Sequence, residues 1–422
     1  MSSHTSAVEE KGVRPPVSGA AMALALLFGL NLFNYIDRYI LFGVQPLVQR
    51  EFHVDDTKFG ALTLAFFITY MLAAPATGWL GDHFPRKPFI VAGAMLWSVL
   101  TLLTALVHSY QALFLRHALV GIGEATFGVF APAVLADFYP EIDRNRILSI
   151  FYIAIPVGAA LGYLTGGVIG SRYGWRMPFM VSAVPAILIA LAFWLLVKEP
   201  ARGSADKVAP TADRATLNGM LLHNPAYWTA TLGMAALVFS MGGISAFLPT
   251  LFVRFGGLTV GRAGLIVGGI TAIDGLLGTI IGGWIAQRWL RHHYRALYLL
   301  SAWSALLTIP GALLVFFGPR SVMIPAAFAA EFFLFLSTGP LNAAIVNSVG
   351  AGIRSTAIAL NLFLIHALGD APSPVIIGVI SDHSNLRLGM GLTLVTFTIA
   401  AALLFAGARF APRLPAVEAQ PV

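Results

Sequence analysis

Apolar residues fill twelve separated stretches of this 422-residue chain, near 20–46, 58–81, 88–107, 110–137, 144–170, 176–197, 226–254, 260–287, 296–317, 321–348, 354–380 and 388–410. A membrane-spanning helix needs about 20 consecutive, mostly apolar residues, so this pattern constrains the fold more than any motif. Inside lipid each backbone N–H and C=O must be paired within its own segment, which leaves helices as the structure such stretches can adopt. Hydrophobic residues make up 58 % of the chain and charged residues 11 %, far from the balance of a water-soluble domain. The expected fold is an all-α polytopic membrane protein.

The net charge of +7 resembles a nucleic-acid signal until it is mapped onto the loops. Sixteen of the loop and tail Lys and Arg residues fall on the side of the two termini and eight on the other. The positive-inside rule then puts both termini in the cytoplasm. The basic balance reflects topology, and no nucleic-acid partner is expected. Residues 1–19 are polar and the first apolar stretch is too long for a signal-peptide core, so no cleaved leader is expected. The chain has no cysteine, hence no disulfide or thiolate metal site. Neither spaced metal ligands nor a phosphate-binding glycine loop occurs, so no metal or cofactor is expected.

Residues 198–222 form the one long polar connector and divide the helices six and six. This gives an N-terminal tail 1–19, a first half 20–197, a linker 198–222, a second half 223–410 and a tail 411–422. The halves carry a weak repeat: Gly283-Trp284-Ile285-Ala286-Gln287-Arg288 ends helix 8 as Gly78-Trp79-Leu80-Gly81-Asp82-His83 ends helix 2. Two parallel halves with a site between them at mid-membrane are the architecture this implies.

The loop after helix 2 ends in Arg86 and Lys87, a basic pair that follows Asp82 and the glycine-spaced helix end at Gly78. Glycines let helices approach closely, and charges set there can latch a gate that opens and closes. Within the spans lie Asp37 and Arg38 in helix 1, Arg116 and Glu124 in helix 4, Asp274 in helix 8, Glu331 in helix 10, and His366 and Asp370 in helix 11. Ionisable groups at that depth are costly and face a cavity or a partner. Asp37 and Arg116 fall at matched depths, and adjacent helical residues point about 100° apart, so Arg116 rather than Arg38 is the expected partner of Asp37. Glu124 lies about 12 Å along the axis from Arg116, too far for direct contact, which makes it a candidate proton carrier beside Asp37. His366 and Asp370 share a helix face, and Pro372 and Pro374 predict a break just after them. Ile155-Pro156-Val157-Gly158 with Gly162, and Gly339-Pro340, read as further pivots. The sequence assigns no role to Asp274 and Glu331.

The helix 2–3 loop resembles the signature loop of the major facilitator superfamily through Gly78, Asp82, Arg86 and Lys87, with Pro85 where that pattern has Gly. Arg116, Gly121 and Gly123 resemble the superfamily's helix 4 motif, and the helix 5 run resembles its antiporter motif with Ile155 in place of a glycine. Four segments resemble the Spinster family of lysolipid and sphingolipid transporters: Asn34-Tyr35-Ile36-Asp37-Arg38, the run from Arg116 to Ala125, Arg354-Ser355-Thr356-Ala357, and Gly369-Asp370-Ala371-Pro372-Ser373-Pro374 with Gly378 and Ser381-Asp382. The resemblance implies the major facilitator fold and movement of an amphipathic lipid, with the helix 1 Asp and the helix 4 Arg and Glu as candidates for coupling and binding.

The expected function is therefore a secondary carrier that moves a lysophospholipid or sphingoid lipid by alternating access. It is coupled to protons through Asp37 and Glu124, while Arg38, Arg116, His366 and Asp370 bind substrate or relay charge. A monomer in a bacterial plasma membrane is expected. The alternative is a carrier of small organic anions or drugs, with Arg38 and Arg116 clamping a carboxylate. An intramembrane enzyme has only Ser381-Asp382-His383 and the His366–Asp370 pair in its favour.

Overall fold

The computed structural model describes residues 17–201, 221–350 and 354–413. Twelve helices in it are long and apolar enough to cross a membrane: α1 (Ala20–Gly43), α2 (Asp56–Leu80), α3 (Arg86–Leu106), α4 (Tyr110–Phe138), α5 (Arg146–Tyr173), α6 (Met177–Leu196), α7 (Pro225–Arg254), α8 (Val260–Leu290), α9 (Ala296–Phe317), α10 (Arg320–Asn347), α11 (Thr356–His383) and α12 (Leu386–Gly407). Each matches one of the twelve apolar stretches. The terminal tails and the linker fall largely outside the described residues.

Local chemistry punctuates the helices. Asp55, Ser109, Asn224, Thr259 and Asn385 stand just before α2, α4, α7, α8 and α12, and each side-chain oxygen accepts a backbone N–H two or three residues inside the helix. That satisfies one of the donors every helix start leaves open.

Small residues set the helix contacts, since lipid offers no hydrophobic drive for one apolar helix to leave it for another. Gly93 of α3 and Gly123 of α4 face each other so closely that a Cβ on Gly123 would lie 2.7 Å from the Gly93 carbonyl oxygen. Gly158 and Gly162 seat α5 against Tyr35 and Tyr39 of α1, where added Cβ atoms would come within 2.6 Å of each tyrosine's own Cβ. The Ile155-Pro156-Val157-Gly158 run with Gly162, read as a pivot, lies in this packing surface. The departure from α geometry in α5 comes later, as a π-helical turn at Thr165–Ile169. In α10 the break falls at Ser337, just ahead of Gly339-Pro340, between helices Arg320–Leu336 and Thr338–Asn347.

An even number of spans puts the start of α1 and the end of α12 on one face of the bundle, called here the termini face, with the far face opposite. The two halves meet towards the far face. There Gly167 of α5 abuts Gly264 of α8, with a Cβ on Gly264 2.7 Å from the Gly167 Cα, and Gly60 of α2 and Gly378 of α11 lie against the backbones of Pro374 and Asp56. Phe59 and Phe247 stack edge-on just beneath, 6.4 Å apart. Among the described residues, no hydrogen bond, ion pair or ring contact between the halves lies nearer the termini face than Tyr70 and His366, whose rings are 5.8 Å apart. At the termini ends of α2 and α8, Gly78 and Gly283 have open space where a Cβ would sit, and Trp79 and Trp284 beside them are exposed. The repeat seen in the sequence is therefore a repeat of position, and among the described residues the polar and ring contacts between the halves lie at the far face and mid-depth.

Candidate functional site

The 100° step between neighbouring residues on α1 sends its two charges to different helices. Asp37 turns towards α6, where Ser182 donates its hydroxyl to one carboxylate oxygen; the other has no partner among the described residues. Arg38 turns towards α4 and forms an ion pair with Glu124. Glu124 was expected to lie beyond direct reach of Arg116, and its cation arrives instead from α1, which depth on its own helix could not show. The carboxylate is 2 % exposed while the guanidinium keeps 16 %, so the pair presents its cationic side to the space between the halves.

Aromatic rings enclose that guanidinium. Its carbon lies 4.7 Å from the Phe66 ring centre, 4.9 Å from Tyr35 and 5.8 Å from Phe67, distances at which a cation is drawn to a ring face. The expected Asp37–Arg116 ion pair is not formed. Arg116 instead donates to the Leu100 carbonyl at 2.8 Å and the Thr101 hydroxyl at 2.9 Å, and lies 3.2 Å from His117 Nδ1. Both α3 acceptors lie where that helix loosens into a 3-10 turn at Thr104–Leu106. Arg116 still acts electrostatically on Asp37 and Glu124, as part of a buried network on α1, α4 and α6.

The predicted break in α11 is present. Residues His366–Asp370 form a π-helical turn with Gly369 outside helical geometry (φ −104°, ψ −105°), and Gly369 and Asp370 lie directly against α7. His366 Nδ1 is 3.0 Å from Asp370 Oδ1. The His366 ring stacks on Phe67 of α2 at 5.0 Å, so the aromatic wall that holds Arg38 also touches the second pair. Arg38–Glu124 in one half and His366–Asp370 in the other thus face a shared aromatic surface at mid-depth.

The charges after α2 engage their own half. Arg86 pairs with Asp137 at the end of α4 at 2.6 Å, and the Glu199 carboxylate accepts the N–H groups of Arg86 and Lys87 at 2.7 and 3.0 Å. Lys87 Nζ stands 4.9 Å from the Trp194 ring. The side chain of Asp82 lies outside the described residues.

A far-face network was not legible in the sequence. Asp56, at the start of α2, receives Nη1 and Nη2 of Arg254, each at 2.7 Å, together with Gln49 Nε2 at 2.7 Å and the Ser381 hydroxyl at 2.6 Å. Asp382 of α11 accepts the N–H groups of Asp56 and Thr57 at 3.0 and 2.9 Å, so a carboxylate of one half caps a helix of the other. Asp56, Arg254 and Asp382 sit at helix ends, where charges are ordinary, and only their meeting in space marks them. Ser381 and Asp382 thereby bond α2, and His383 lies 2.8 Å from the Val379 carbonyl, so the three make no nucleophile arrangement.

Known proteins resemble this chain along most of its length. A family model described as Major Facilitator Superfamily matches residues 27–371. The chain is 34 % identical over 390 residues to Protein spinster homolog 1 of Xenopus laevis, covering 86 % of this chain and 73 % of that one. It is 33 % identical over 418 residues to the Sphingosine-1-phosphate transporter SPNS2 of Danio rerio, covering 92 % and 82 %. Among solved structures, a bacterial homolog to the human lysosomal transporter Spinster, in an inward-facing and unoccupied conformation, matches with TM-score 0.86 and 22 % identity over 94 % of this chain and 98 % of that one. These matches make the protein a transporter and not an enzyme, and the chain belongs to the Spinster family of the major facilitator superfamily.

Proposed function

We propose that the chain is a proton-coupled secondary carrier of an amphipathic, lipid-like substrate of the lysophospholipid or sphingoid class. It works by alternating access, as a monomer in the plasma membrane of a bacterium, with the termini face in the cytoplasm. The observation that carries this reading is that the Arg38–Glu124 ion pair and the hydrogen-bonded His366 and Asp370 are set on one aromatic surface of Phe66, Phe67 and Tyr70. An anionic head group competes with Glu124 for Arg38, while rings and lipid cover the apolar tail. A proton on Glu124 frees Arg38 for that head group, which couples proton and substrate without direct contact between them. Charge placement supports the orientation, since Lys and Arg favour the cytoplasmic side, and the latch of Gly78, Asp82, Arg86 and Lys87 closes that side in the opposite state.

A clamp of two arginines on a small acid gains no support from this geometry, because Arg116 is bound to α3 and Arg38 to Glu124. Purified protein in proteoliposomes, given a pH gradient and a panel of labelled lysophospholipid, sphingoid phosphate and small carboxylic acids, tests the substrate class. Uptake of one of the lipids at least tenfold above that of the acids is expected; preference for the acids overturns the reading.

A further inference from the structure

The C-terminal half carries two buried acids that the site above does not use. Asp274 of α8 is 0 % exposed, and neither of its carboxylate oxygens has a partner among the described residues. Glu331 of α10 is 8 % exposed and accepts a hydrogen bond at 3.1 Å from Thr271, which stands one turn before Asp274 on α8. The two acids therefore meet where α8 and α10 pack, and Asp274 is the charge that acts on Glu331.

Their surround is mostly apolar. Glu331 lines a cavity of about 20 Å³ whose walls from α7, α9 and α10 are apolar apart from Thr308, large enough for about one water molecule. Tyr163 of α5 is the other ionisable group within electrostatic reach of Glu331, and it donates its hydroxyl to the Ser245 carbonyl. Among the described residues no Lys, Arg or His forms an ion pair with either acid. Two ionised carboxylates cannot share such a surround, and the common resolution is that they hold one proton between them.

We propose that Asp274 and Glu331 form a proton-binding site in the C-terminal half, separate from Asp37 and Glu124, that holds one exchangeable proton and reaches water through the cavity beside Glu331. The site does not depend on the substrate or on coupling through Glu124.

Infrared spectra of the purified full-length protein at neutral pH test it. The Asp274→Asn/Glu331→Gln variant should lose protonated-carboxyl absorption equal to one group relative to the parent, and that absorption in the parent should shift on transfer to D2O. If the double variant does not fold, Glu331→Gln alone should move the band in frequency as the proton settles on Asp274. Unchanged spectra, loss equal to two groups, or disappearance of the parent band on adding sodium chloride would each overturn the proposal.

Discussion

Replacing Arg38 with Gln should cut transport more than tenfold and lower thermal stability, and adding Glu124→Gln should restore the stability without restoring transport. Arg38 is the cation paired with Glu124, which is 2 % exposed. Removing one member of a buried pair strands the other, at a cost of about 3–5 kcal/mol, whereas removing both is often close to neutral. Transport follows a different rule, because Arg38 is the group proposed to meet the substrate head. Melting curves and uptake on the two variants check this. If the double variant melts as low as the single, the ion pair is not what holds α1 to α4; if Arg38→Gln transports normally, the guanidinium does not bind substrate.

Neutralising the far-face network should release the seal. Asp56→Asn keeps the shape of the side chain and removes the charge that Arg254 meets with two nitrogens. Hydrogen bonds to charged groups contribute about 1.5–3 kcal/mol each. Arg254 is 37 % exposed, so solvent screening reduces the sum to about 1.4 kcal/mol, a tenfold change in population. The native chain has no cysteine, so a single Ser245→Cys in α7, beneath the seal, reports on it. Labelling from the far side by a membrane-impermeant thiol reagent should rise about tenfold in the Asp56→Asn background. An unchanged labelling rate would assign the closure to the glycine contacts of α5 with α8 and α2 with α11 instead.

The helices were legible because a spanning segment announces itself by length and composition, whereas the caps at Asp55, Ser109 and Thr259 show only in the structure. The break in α11 was legible too, since Pro372 and Pro374 act within their own helix. Partners across helices were not. Depth along one axis placed Asp37 beside Arg116, but which helix faces which side of α1 decides the contact, and Ser182 of α6 took that position. Arg38 does not meet Asp37, because the 100° step between them delivers Arg38 to Glu124. Asp56 and Arg254, 198 positions apart, sit at helix ends where charge carries no signal until the chain is folded.

Coupling at Glu124 is the central claim, and one comparison reaches it directly. In proteoliposomes loaded with the preferred lipid, uptake by the parent protein and by Glu124→Gln is measured with and without an imposed pH gradient. The account predicts that the gradient accelerates the parent and leaves the variant unaffected, while exchange of substrate at equal pH survives in both because exchange need not release the proton. A variant that responds to the gradient as the parent does would contradict it.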